Sequence, residues 1–196
     1  MKALATLALL GALVQMGPTE VHESCKPAQI SYNLPKNWVV NNEQTLFQVG
    51  FIVPPMPMYA VVASPSATPY RDALLPSSAP WVLVTVENVS ATLPPAETYE
   101  LTPEYLQQLA TQSGPANTKV VTLVPHRSVQ EGGLSGSTSA VTVIAPGGST
   151  SVDDVAYEKG NQLWLIIAGC STSCYTHHRA AIVQIVNSVR VGTVAA

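Results

Sequence analysis

From residue 29 onward the chain alternates apolar and polar positions in short runs, the period of half-buried strands. Residues 29–33 (QISYN) alternate and stop at Leu34-Pro35. Trp38-Val39-Val40 forms a second short apolar piece, and Leu46 to Val53 (LFQVGFIV) is predicted as a largely buried strand. Trp81 to Val89, Lys119 to Val124 and Ser137 to Ala145 read as further strands. Gly132-Gly133 and Pro146-Gly147-Gly148 supply turns, and Val152 to Glu158 and Gln162 to Ala168 form a hairpin around Lys159-Gly160-Asn161. Two segments carry helical signals. Thr102 can cap a helix with Pro103 at its first position and Glu104 near the positive dipole end; Leu101 and Leu106 suit a hydrophobic staple. Tyr175 to Val189 closes the chain as a helix, with Tyr175, His178, Ile182, Ile185 and Val189 on one stripe and Arg190 placed to meet its negative end. The predicted class is α+β, one domain with a central antiparallel sheet covered by helices.

One stretch breaks the alternation. Between Pro54 and Pro80 lie Pro55, Pro57, Pro65, Pro69 and Pro76, and each proline removes a ladder donor. The stretch is nonetheless apolar. It is predicted as an insertion with no ladder role, so its side chains either cap the sheet edge or recognise a partner. Met56, Met58, Tyr59, Tyr70 and Leu74 are the candidate partner-binding residues. Met56 and Met58 as copper thioethers lack a third soft ligand nearby and read better as gap-fillers.

The start of the chain sets the expected compartment. Met1-Lys2 followed by the uncharged run Ala3 to Val14 has the size of a signal peptide, so residues 1–20 are assigned to one, with cleavage between Gly17 and Ser24. Localisation is then extracytoplasmic, secreted or periplasmic, with lipid attachment at Cys25 as the alternative. The remainder, 26–193, is the folded domain. Composition narrows the partners. Of 196 residues, 46% are hydrophobic and only 11% charged, with 9 Lys+Arg against 12 Asp+Glu. This balance excludes a charge-rich disordered chain. With no basic run to neutralise phosphates, nucleic acid is excluded as a partner. No apolar run is long enough to span a membrane.

Three cysteines in an exported chain are disulfide candidates. Cys170 and Cys174 are close in the chain. Joining Cys25 to either instead would close a far longer loop with a larger entropic gain. Spacing does not decide between them; the short loop is favoured because its partners are never far apart. Cys170, Cys174 and His177 are the less favoured alternative of a metal or thiol site, since adjacent His177 and His178 diverge by about 100° on a helix. Ser135 lies in a glycine-flanked turn rather than a nucleophile elbow. Asp153 and Asp154 read as a solvated pair at a hairpin edge. No constellation implies a cofactor.

The succession Ser31-Tyr32-Asn33-Leu34-Pro35 and Trp38 resembles the opening of the PsbP-like superfamily, which includes photosystem PsbP proteins, Mog-type proteins and LpqN-like proteins. The Thr102 helix, Gly136 to Ile144, the Tyr157-Glu158-Lys159-Gly160-Asn161 hairpin and the closing run Ile182 to Arg190 fit the same pattern. The resemblance covers 29–191 and implies an α-β-α arrangement around an antiparallel sheet. It also implies an accessory role without chemistry of its own. The expected function is therefore an exported, non-enzymatic binding protein whose partner is a protein or envelope component. A carrier of a small apolar ligand, held between sheet and helix, is the alternative.

Overall fold

The computed structural model describes residues 19–25, 28–50, 59–74, 76–88, 117–159 and 162–193. The leader, Met56, Met58 and the Thr102 helix lie outside the described residues. Among the described residues ten strands form two antiparallel sheets. In the smaller, β2 (Ala28–Leu34) lies between β1 (Thr19–Cys25) and β10 (Arg190–Thr193). β1 begins at Thr19, so losing residues through 20 would shorten it, and the sheet extends the folded unit on the N-terminal side of residue 26. The larger sheet comprises β3 (Val39–Asn42), β4 (Tyr59–Ser64), β5 (Trp81–Asn88), β6 (Lys119–Glu131), β7 (Leu134–Ala145), β8 (Gly148–Lys159) and β9 (Gln162–Ser171). Its strand order is β3-β4-β5-β9-β8-β7-β6. The β6–β7 hairpin turns through Gly132 and Gly133 at φ 56° and 78°, the left-handed pair that a two-residue turn of matching twist requires.

Three helices are described: α1 (Glu43–Gln48), α2 (Pro69–Leu74) and α3 (Thr172–Ser188). α3 packs on β8, β9 and β2. Its Tyr175, Ile182, Ile185 and Val186 join one apolar core with Val61, Val84, Val155, Trp164 and Ile166 of the large sheet and Ile30, Tyr32 and Val191 of the small one. On the reverse face, Leu46 of α1 and Tyr70 and Ala73 of α2 pack around Ala60, Val62 and Leu83. The mostly antiparallel sheet with a few helices is thus as expected.

Several expectations need correction. Of the strand expected over Leu46 to Val53, the described part, residues 46–50, is not a strand. Asn42 caps α1 instead, its side-chain oxygen accepting from the Thr45 amide at 3.3 Å, and Gly50 ends the turn at φ 72°. The proline-rich stretch does enter the sheet. Tyr59–Ser64 (YAVVAS) contains no proline and forms β4, fully buried between β3 and β5. In the sequence the prolines fall on its flanks. α3 starts at Thr172, three residues earlier than the stripe suggested, because Ser171 Oγ accepts from the Cys174 amide at 3.4 Å. His178 is exposed rather than on the buried stripe. Arg190 meets the helix end as expected, donating to the Asn187 carbonyl at 2.9 Å, and the chain then continues into β10.

Candidate functional site

Asp153 and Asp154 sit mid-strand in β8, where successive side chains point to opposite faces. They are not a solvated turn. Asp153 faces α3 and accepts a hydrogen bond at Oδ2 from the Tyr175 hydroxyl. Burial raises the Asp153 pKa, opposed by that hydrogen bond and by the Arg179 charge one turn along α3. Burial, followed by the nearby Asp153, pushes the Tyr175 phenol well above its ordinary value. Next to this pair, Thr142 Oγ1 and Ser151 Oγ lie 2.8 Å apart, and Ser151 Oγ donates to Thr172 Oγ1 at 3.2 Å. The first turns of α3 are therefore pinned to β7 and β8 by side-chain hydrogen bonds.

A disulfide pins them to β9. Cys170 and Cys174 are bonded, with their Cα atoms 5.8 Å apart. The short loop is the pairing formed, and both thiols are spent on it. They are not available as metal ligands, and His177 is exposed with Nδ1 2.9 Å from the Ser173 carbonyl. Among the described residues no group of three or more His, Cys, Asp or Glu could hold a metal. Closing so short a loop is worth about 2 kcal/mol in the chain-entropy model. Reduction of the native protein is expected to lower its unfolding free energy by about that amount, measured by urea denaturation with and without reductant. Identical curves would show that the bond contributes nothing.

α3 lies over β8 and β9, so the same face of β6 and β7 continues past it. Register places Val121 beside Thr142, Lys119 beside Ile144 and Arg127 beside Thr138. Val121, Leu123 and Ile144 are 46%, 44% and 42% exposed. The result is an exposed apolar shelf at the β6 edge, with Lys119 and Arg127 also exposed on β6. Exposed apolar side chains bordered by charge are a composition found at protein-binding surfaces.

Behind the shelf, on the reverse face, Asp154 is 1% exposed. Its Oδ1 accepts from Ser139 Oγ at 2.8 Å, and its Oδ2 is buried without a hydrogen-bond partner. Burial raises its pKa to about 7, the Ser139 hydrogen bond opposes the rise, and neighbouring Asp153 adds to it.

Of the sequence-predicted binding residues, the two whose side chains are described, Tyr59 and Tyr70, lie apart. Tyr59 is buried, its hydroxyl 3.1 Å from that of Tyr32. Tyr70 is half-buried on the other face, with the Arg71 guanidinium 5.9 Å from its ring centroid. Leu74 ends α2, and Met56 and Met58 are outside the described residues. The residues missed are Asp153, Tyr175 and Arg179. Their one signal was the pair of acids between Val152 and Val155, inside a strand rather than at its end.

No family model matches the chain, and no curated protein sequence matches it. Solved structures do. Cyanobacterial PsbP from Synechocystis sp. PCC 6803 matches with a TM-score of 0.59 at 10% identity, over 92% of this chain and 96% of that one. LpqN of Mycobacterium tuberculosis, described as involved in cell envelope biogenesis, matches with a TM-score of 0.53 at 13% identity, over 89% and 91%. A point mutant of Mog1 matches with a TM-score of 0.51 at 13% identity, over 89% and 96%. At these identities the likeness is one of fold. The chain has the fold that PsbP, LpqN and Mog1 share, as its short motifs implied.

Proposed function

We propose that this chain is an exported, non-enzymatic accessory protein that binds a protein of the cell envelope through the shelf beside α3. The observation that carries the reading is the exposure of Val121, Leu123 and Ile144 at the β6 edge, with Lys119 and Arg127 exposed on the same strand. Exposed apolar side chains grouped on rigid strands, rimmed by charge, suit recognition better than solvation. A non-enzymatic role is supported by the state of the reactive groups: both thiols are bonded to each other and the Tyr175 hydroxyl is committed to Asp153. Export is supported by the signal-like run Ala3 to Val14 and by a disulfide, which persists in oxidising compartments. The role of LpqN in envelope biogenesis favours the same setting for a chain of this fold. Among the described residues no helix is long and apolar enough to cross a membrane, consistent with a partner that provides any anchoring.

The test is the triple change Val121→Thr, Leu123→Thr and Ile144→Thr. These are exposed strand positions, so each costs less than about 0.5 kcal/mol of stability. The variant is expected to melt like the native protein yet lose the envelope protein that the native chain retains on an affinity column. Retention equal to that of the native chain would contradict the shelf as the binding surface.

A further inference from the structure

The two edges of the large sheet differ. β6 is guarded: Pro125 removes a donor, the register shifts between Thr122 and Val124 and again between Val124 and Arg127, and Lys119 and Arg127 are exposed. β3 has none of these devices. Among the described residues it is hydrogen-bonded to β4 alone, it is regular, and its four residues Val-Val-Asn-Asn carry no charge or proline. Val39 and Val40 are exposed on it, and Phe47 and Val49, in and just after the following helix, add exposed apolar surface at the same edge. Such an edge is a template for another strand.

We propose that the occupant is β3 of a second copy of this chain, paired antiparallel about a two-fold axis so that the two sheets run on into one. The charges flanking β3 select this partner. Lys36 precedes the strand and Glu43 follows it. Antiparallel self-pairing, with Val39 opposite the second copy's Asn42, brings Lys36 of each copy toward Glu43 of the other. Parallel pairing would set like charges side by side. An antiparallel pair of identical strands also closes as a dimer and leaves no further β3 edge exposed. The surface lies at the opposite end of the sheet from the shelf beside α3, so both can be occupied together, and this inference does not depend on that reading.

Sedimentation equilibrium of the native protein tests it, with three variants. The native chain is expected to dimerise reversibly. Val40→Lys, an exposed change that charges the edge, is expected to weaken the dimer at least about ten-fold with an unchanged melting temperature. Lys36→Glu alone is expected to weaken it, and Lys36→Glu with Glu43→Lys to restore it toward the native constant. A native chain that stays monomeric at all concentrations overturns the proposal. So does a dimer indifferent to Val40→Lys, or a double variant weaker than Lys36→Glu alone. The charge swap does not involve the edge valines, so it decides even if Val40→Lys folds poorly.

Discussion

Replacing Gly169 by alanine is expected to remove most of the chain's stability. Gly169 lies in β9, opposite Trp81 of β5 and Val152 of β8, at the middle of the large sheet. A Cβ there would sit 2.3 Å from the Ser151 carbonyl oxygen, 2.6 Å from Val152 Cγ1 and 3.0 Å from Val152 Cα. Two of these atoms belong to the backbone of a paired strand, so no rotamer relieves the contact. Relief requires β8 to move away from β9, breaking the ladder that carries Asp153 and positions α3. Overpacking of flexible cores costs about 1–3 kcal/mol, and a backbone obstruction in a central strand exceeds that. Against a total stability of roughly 5–15 kcal/mol, most of the margin is lost. Gly147, with nothing within 4 Å of an added Cβ, is the control, and Gly147→Ala should be near neutral. Soluble yield and urea denaturation of the two variants check this. Equal stability would mean that β8 and β9 are not paired in this register.

The stability of the native protein is expected to fall as pH rises from about 4 to about 8, and Asp154 is the cause. Its pKa is about 7 in the folded chain against 3.8 in the absence of burial. The folded state therefore holds a proton that the unfolded state releases. The contribution is complete below the unfolded value and is lost as pH climbs through the folded one. The difference corresponds to about 4 kcal/mol as an order of magnitude. Asp153, also raised by burial, acts in the same direction. Asp154→Asn keeps an oxygen for the Ser139 hydroxyl and carries no charge. It is expected to flatten most of the slope and to be more stable than the native chain at pH 8 and above. Unfolding free energies by urea titration across this range decide it. Parallel pH profiles for the two proteins would show that the carboxyl ionises freely.

What was legible in the sequence was whatever local chemistry governs. The hairpins were marked by Gly132-Gly133 and Pro146-Gly147, whose conformational demands are met within the turn itself. The last helix was marked by Ile182, Ile185 and Val189, and its end by Arg190. β4 is hidden by the proline content of the stretch from Pro54 to Pro80, although YAVVAS within it has none. α1 is not legible because LFQV has no period long enough to separate a short helix from a strand, and the deciding contact is the Asn42 cap just before it. The site escaped for a different reason. Asp153, Tyr175 and Arg179 meet only because α3 folds back over β8, and a separation of 22 residues carries no local signal. The adjacent acids implied water by their polarity, whereas the alternation of β8 sends one to each face and buries Asp154.

The central claim, a protein-binding surface on β6 and β7 beside α3, is tested most directly by hydrogen exchange of the native chain alone and with its captured envelope partner. Protection is expected to rise in the exposed β6 edge from Lys119 to Val124 and in the first turns of α3, where a bound partner would exclude water. Protection confined to β3, α1 and α2, with β6 and α3 unchanged, would contradict the account and move the binding surface to the other end of the sheet.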